Sequence, residues 1–152
     1  MKYWPYVLGT VALLALVIWQ TRCPCEQLPG GWLLGEVEEA PVEDWSFAND
    51  ARRCFLQVGR WPHSVTLNCM ADGQGRLYVS CSRCAGKYWS GVALDNPAGR
   101  LRANGIVYPV TMRRVTDAGE LDHAWLTRAN KVMPGESPPR PDHWWSFALT
   151  SR

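Results

Sequence analysis

Residues 99–125 read GRLRANGIVYPVTMRRVTDAGELDHAW, and this stretch decides the fold class. Asn104-Gly105 has the turn chemistry of a tight hairpin, so residues 99–103 and 106–115 are predicted to be adjacent antiparallel strands. Pro109 has no N–H to donate, so the second strand should lie at an edge or carry a bulge at that point.

A helix is predicted directly after this hairpin. Asp117 and Glu120 have the spacing of a capping box that opens a helix running to about residue 129. Leu121, Trp125 and Arg128 share one face of that helix. The face indicates that Trp125 packs into the core.

Four more strands complete the predicted fold. Residues 53–58 and 64–70 flank a Gly- and Pro-containing turn, and a turn at Asp72-Gly73-Gln74-Gly75 leads into residues 77–81. A last strand is expected over 145–149. The pattern therefore predicts a mainly β, α+β domain: a six-stranded antiparallel barrel or sandwich with one or two short helices.

The N-terminal segment is apolar. Tyr3 to Trp19 carries no charge and has aromatic residues at both ends, which favours one transmembrane helix. A cleaved signal peptide and lipidation at Cys23 are the alternatives. Lys2 favours an extracytoplasmic, periplasmic or extracellular domain, although Arg22 opposes this. We divide the chain into an anchor (1–22), a linker (23–49) and a barrel domain (50–152).

The charge balance excludes one class of partner. Without Lys2 and Arg22, the 16 basic residues become 14, against 14 acidic residues. Because nucleic-acid binding requires a basic face, we expect no nucleic acid as partner.

Six cysteines in an exported domain fit an oxidising compartment. If the first hairpin turns about Trp61-Pro62, Cys54 and Cys69 face each other, which predicts a disulfide. Cys81 and Cys84 are either a local disulfide, a redox pair, or half of a zinc site with Cys23 and Cys25. We expect no metal.

Two stretches, DGQGRLYVSCS (72–82) and GKYWSGVALDNPAGRLRANGIVYPVTMRRVTDAGELDHAW (86–125), resemble the flavin-binding split β-barrels. This superfamily includes pyridoxamine-phosphate oxidases and deazaflavin-dependent nitroreductase-like proteins. The resemblance lies in the order of elements: a strand ending in serine, a loop with Lys87, and Trp89 seven residues before Asn96. It covers roughly residues 50–128.

The resemblance implies a homodimer that binds FMN or a related flavin or deazaflavin by its phosphate near the loop after the third strand. That loop supplies hydroxyl donors and positive charge, and Trp89 or Tyr88 offers a ring surface for the isoalloxazine. Positions on the second strand match by place only. The predicted cofactor-binding residues are Ser80, Ser82, Arg83, Lys87, Trp89, Ser64 and Thr66.

The leading hypothesis is therefore a membrane-anchored flavin-dependent redox protein without an assignable catalytic acid or base. A second hypothesis is a non-catalytic split barrel that contributes an interface to a membrane complex. A third is a thiol redox protein using Cys81 and Cys84.

Overall fold

The computed structural model describes residues 3–22, 24–61 and 63–152. A long N-terminal helix precedes six strands. A short helix lies between the third and fourth strands, and a longer helix lies between the fifth and sixth. The helices are α1 Trp4–Arg22, α2 Tyr88–Asp95 and α3 Ala118–Val132, and the strands are β1 Cys54–Val58, β2 His63–Ala71, β3 Leu77–Ser82, β4 Ala98–Ala103, β5 Ile106–Arg114 and β6 Trp144–Ser151.

The six strands form a closed antiparallel barrel in the order β1-β2-β3-β6-β5-β4. Alternate residues point inward, so β4 buries Gly99, Leu101 and Ala103 while the residues between them are partly exposed. This confirms the predicted mainly β barrel. The interior is apolar, with fully or nearly fully buried side chains that include Leu56, Val58, Leu77, Val79, Leu101, Val110 and Phe147.

The turn between β2 and β3 and the turn between β4 and β5 form where the sequence predicts them. Asn104 and Gly105 both have positive φ, 50° and 87°, as the tight hairpin between β4 and β5 requires. Between β2 and β3, the Gly75 N–H donates to the Asp72 carbonyl at 3.0 Å. Pro109 lies where β6 ends, because β5 pairs with β6 only from Val110 onward. The missing N–H therefore costs no interior ladder bond.

Helix α3 begins as predicted. Asp117 caps it by accepting a 2.8 Å hydrogen bond from the Glu120 N–H, but the Glu120 side chain binds Arg113 instead of returning to Asp117. Trp125 is buried, as predicted, and its ring contacts Trp144 with centroids 5.1 Å apart.

Lys131, in the last turn of α3, fastens this helix to the barrel. Its ammonium donates to the carbonyls of Ala48, Ala51 and Cys69 at 2.9, 2.7 and 2.6 Å. Partial burial lowers the pKa of Lys131. The three carbonyls belong to the segment before β1 and to β2, so one side chain ties three parts of the chain together.

The disulfide between Cys54 and Cys69 is present, with Cα atoms 5.7 Å apart. The register used to predict it is wrong by two residues. Cys54 lies opposite Leu67, and Cys69 lies opposite Val79 of β3. The disulfide therefore joins two residues that lie diagonally across β1 and β2. It still forms because a shift of two residues in register keeps each side chain on the same face of the sheet. The second predicted pair, Cys81 and Cys84, also forms a disulfide.

Residues 24–38, which the sequence suggests are a linker, form a strap across the outside of the barrel. Gly30 exchanges two 2.8 Å backbone hydrogen bonds with Ser64 of β2. The Leu33 N–H donates to the Gln57 side chain of β1, and Val107 of β5 pairs with the end of the strap. The Leu34 carbonyl accepts a 3.0 Å hydrogen bond from Arg102 of β4, which lies between β1 and β5, so the strap contacts β2, β1, β4 and β5 in their order around the barrel.

Helix α1 is apolar, 19 residues long and buries none of its residues against the barrel. Its length and composition suit either a membrane span or a signal sequence. They do not indicate the side of the membrane on which the barrel lies.

Candidate functional site

A cavity of about 460 Å³ lies between the strap, the start of β2 and the start of α2. It forms because the Gly30–Ser64 pairing holds the strap beside β2 while α2 begins on the other side. Its lining combines charged, aromatic and apolar side chains: Glu26, Gln27, Leu28, Pro29, Arg53, His63, Val65, Thr66, Leu67, Lys87, Tyr88 and Trp89.

Two unpaired cations line this cavity. Lys87 is the N-cap residue of α2, and Arg53 precedes β1; both side chains are exposed. Within the described ranges neither forms a hydrogen bond or an ion pair with a carboxylate, so their donors are free to bind a ligand. No side chain caps α2, so its first N–H groups add partial positive charge beside Lys87. Because Glu26 is the one acidic residue among those lining the cavity, the lining carries a net positive charge that suits an anionic group.

Aromatic rings line the cavity beside the cations. Tyr88 is 63% exposed, and its ring lies 4.8 Å from the ring of His63. Burial lowers the pKa of His63, which favours the neutral form of its imidazole. Trp89 is only 3% exposed and packs on Phe147, which makes it a core residue that also borders the cavity.

Two buried hydroxyls on β2 lack partners. Thr66 Oγ1, which belongs to a residue lining the cavity, and Ser64 Oγ accept or donate no hydrogen bond in the part of the chain that the structure describes. A buried hydroxyl without a partner is costly. Thr66 lines the cavity as a residue, but its Oγ1 atom is buried. Ser64 is fully buried and does not line it.

The structure places the remaining predicted site residues elsewhere. Ser80 is buried between Asn68 and Ser146 on neighbouring strands, and Ser82 is exposed opposite Trp144. Arg83 is exposed inside the loop closed by the second disulfide, with φ 53°. Of the seven predicted residues, Thr66, Lys87 and Trp89 therefore meet at the cavity, whereas Ser64, Ser80, Ser82 and Arg83 do not line it.

Arg53 is the functional candidate that the sequence analysis missed. Two further cavities, of about 410 and 430 Å³, also include Arg53 in their linings, so the three adjoin around this side chain. The sequence shows Arg53 only as the first residue of a strand. That it lines the same cavity as Lys87 depends on the closure of the barrel and the path of the strap.

The disulfide between Cys81 and Cys84 weighs against the hypotheses of a zinc site and of a thiol redox protein. Cys81 and Cys84 are bonded to each other and are 7% and 0% exposed. Oxidised sulfurs are not thiolate ligands, and exchange requires access to a sulfur, so the arrangement favours a structural role. Cys25 is disulfide-bonded as well, whereas Cys23 lies outside the described residues. Among the residues described, no cluster of three or more His, Cys, Asp or Glu side chains has a metal-binding arrangement.

Comparison with solved structures identifies the fold. A putative pyridoxamine 5'-phosphate oxidase from Listeria innocua superposes with a TM-score of 0.52 at 14% identity, covering 69% of this chain and 87% of that one. A NimC/NimA family protein from Clostridium acetobutylicum gives 0.50 at 15% identity, covering 70% and 78%. The protein Rv2991 from Mycobacterium tuberculosis gives 0.52 at 12% identity, covering 70% and 76%.

The chain has the split β-barrel fold. This confirms the resemblance on which the predicted fold rests, with a closed barrel of six strands. At these identities the similarity concerns the fold alone. No protein-family model matches the sequence, and no curated protein matches it significantly.

Proposed function

We propose that the protein is a membrane-anchored, extracytoplasmic redox protein that binds FMN or a related flavin-type cofactor in the cavity beneath the strap. One observation carries the proposal: a cavity on a split barrel has two unpaired cations, Lys87 and Arg53, next to aromatic rings. The structural neighbours support a flavin-type cofactor at the level of the fold family.

The cavity fits such a molecule in size and chemistry. Ligand sites in proteins usually measure ~300 to 1,000 Å³, and this cavity has about 460 Å³. Lys87 and Arg53 would hold the phosphate by charge-assisted hydrogen bonds. Tyr88 would lie against the ring system.

The bound flavin supplies the capacity for electron or hydride transfer. The residues of this chain bind and orient it: cations at the phosphate, an aromatic ring beside the isoalloxazine, and a strap that covers one side. Burial lowers the pKa of His63 and so favours its neutral form, whose ring nitrogens can form hydrogen bonds. None of the described side chains is assigned as a catalytic acid or base.

The compartment and the assembly are parts of the same proposal. Helix α1 would anchor the chain, and Lys2 would keep the N-terminus on the cytoplasmic side. The disulfides within the barrel suit an oxidising compartment. A homodimer follows from the resemblance to the flavin-binding split barrels.

The test is an FMN titration of the full chain in mild detergent, with three variants of matched size change. Lys87→Gln and Arg53→Gln should each weaken FMN binding about tenfold or more, because each removes a charge-assisted phosphate contact. Arg83→Gln is the control, because Arg83 is also exposed but does not line the cavity. Equal losses in all three variants, or a chain that binds no FMN, would contradict the proposal. A colourless dimer would favour the accessory role instead.

A further inference from the structure

Four large apolar or aromatic side chains remain exposed close to the point where the chain leaves α1. Trp61 is 83% exposed, Tyr88 63%, Leu28 61% and Trp32 53%. We call these four residues the interfacial patch. Soluble proteins rarely expose several large apolar side chains in one region without a partner, so the patch requires an occupant.

The structure links this patch to the end of α1. A side chain at Gly31 would overlap the Gln20 side chain, so the strap passes directly against the last turn of α1. At 1.5 Å per residue the 19-residue helix is about 28 Å long, close to the hydrocarbon thickness of a bilayer. If α1 spans the membrane, Gln20 and Gly31 therefore lie at the headgroup layer, and Trp32 follows immediately.

Hydrogen bonds and a ring contact connect the strap to the segments that hold the other residues of the patch. Gly30 is bonded to Ser64, and the neighbouring His63 contacts the Tyr88 ring. Trp61 lies in the turn just before His63, and Leu28 lines the same cavity as Tyr88. Leu28 and Trp32 thus lie on the strap, and Trp61 and Tyr88 lie on segments that adjoin its contact with β2.

The residue types match a lipid surface. Trp and Tyr favour the membrane interface because one part of each ring is apolar and another part is polar. Arg60 directly precedes Trp61, and its side chain is exposed. Basic residues next to inserted aromatic residues are attracted to anionic headgroups.

We propose that the interfacial patch docks the barrel onto the same bilayer that α1 spans, so that the cavity beneath the strap opens beside the lipid headgroups. This inference rests on the anchor in the proposed function, but not on the identity of the cofactor. Leu28 and Tyr88 belong to both the patch and the cavity lining, so docking would present the cavity to amphiphilic molecules dissolved in the membrane.

The experiment places the full chain, one copy per disc, in lipid nanodiscs of phosphatidylcholine with phosphatidylglycerol, and in the same discs made with brominated acyl chains. Bromine quenches Trp emission at short range. Difference spectra between the unmodified chain and Trp61→Phe isolate the emission of Trp61. Trp145→Phe is the matched control, because partly exposed Trp145 lies on β6, three strands from β1 around the barrel in either direction.

Docking predicts that brominated lipid removes about half or more of the Trp61 emission and leaves the Trp145 emission unchanged. Unquenched Trp61 in discs with one chain overturns the inference, and a change in Trp61 emission only in discs with two chains assigns the patch to a contact between copies. A chain that does not enter the discs refutes the anchor and the docking together. Quenched Trp61 in a chain that binds no FMN supports docking and refutes only the cofactor.

Discussion

Replacing Asp72 by Asn should destabilise the attachment of α3 to the barrel, because the Asp72 carboxylate joins the β2–β3 turn to that helix. The carboxylate accepts hydrogen bonds from the Arg76 side chain at 2.7 Å and contacts His123 Nε2 at 2.8 Å. The backbone N–H groups of Gln74 and Arg76 donate to its other oxygen at 3.0 and 2.9 Å. Only 2% of the Asp72 side chain is exposed.

These contacts set the pKa of Asp72. Burial alone would raise it, but the hydrogen bonds from Arg76, His123 and Gln74 outweigh burial and lower it from 3.8 to about 2. One pKa unit corresponds to about 1.4 kcal/mol, so the carboxylate contributes about 2 kcal/mol to the free energy of unfolding at neutral pH. Because the folded pKa is depressed, this contribution is present above pH 3.8 and is lost as the pH falls through about 2.

Urea unfolding of the full chain in mild detergent, from pH 7 to pH 2, measures this effect. Asp72→Asn should lose about 2 kcal/mol at pH 7 and match the unmodified chain to within about 0.5 kcal/mol at pH 2. Asp142→Asn is the control, because exposed Asp142 has no side-chain hydrogen bond within the described ranges; it should change the unfolding free energy by less than about 0.5 kcal/mol. The same pH dependence in Asp72→Asn as in the unmodified chain would refute the reasoning.

Further predictions concern the hydrogen bonds of Lys131 and the two disulfides of the barrel. Lys131→Met should lower the free energy of unfolding by about 2 to 4 kcal/mol, because three buried carbonyls lose a charged donor; a loss below about 1 kcal/mol in urea unfolding would contradict this role. Replacing Cys54 and Cys69 together by Ser should lower the free energy of unfolding by about 3 kcal/mol, because this disulfide closes a loop of 15 residues. Replacing Cys81 and Cys84 together by Ser should lower it by about 2 kcal/mol, because that disulfide closes a loop of only 3 residues. Calorimetry checks the order of the two, and the reverse order would contradict the loop-entropy argument.

Local chemistry in the sequence predicts most of the barrel. Asn104-Gly105 specifies a tight turn, and Asp117 specifies a helix start; both act through contacts within a few residues. The register of β1 and β2 was less predictable. Gly59, with φ 78°, begins the turn earlier than a turn centred on Trp61-Pro62 would. A disulfide was still predicted correctly because both registers place the cysteines on the same face.

Helix α2 was missed for a physical reason. The sequence suggests a loop around Lys87, since the helix has only eight residues and no capping side chain. Its stability comes from the barrel: Trp89 is buried against Phe147, and the Ser90 hydroxyl donates to the carbonyls of Cys84 and Lys87. Tertiary packing of this kind leaves little trace in a local pattern.

The candidate site was predictable only in part for the same reason. Lys87 and Thr66 could be selected from the sequence because the resemblance places them near a ligand. Arg53 could not, since only closure of the barrel and the path of the strap bring it into the same cavity lining as Lys87. Ser82 and Arg83 are close to Lys87 in sequence, but the disulfide loop at 81–84 holds them outside the cavity.

The most direct test of the proposed function compares the affinities of the full chain for FMN and for riboflavin, which differ only by the phosphate. The unmodified protein should bind FMN about 10- to 100-fold more tightly, because Lys87 and Arg53 form charge-assisted contacts with the phosphate. In Lys87→Gln that preference should fall about tenfold, while the affinity for riboflavin stays the same. Equal affinity for the two flavins in the unmodified protein would contradict the account.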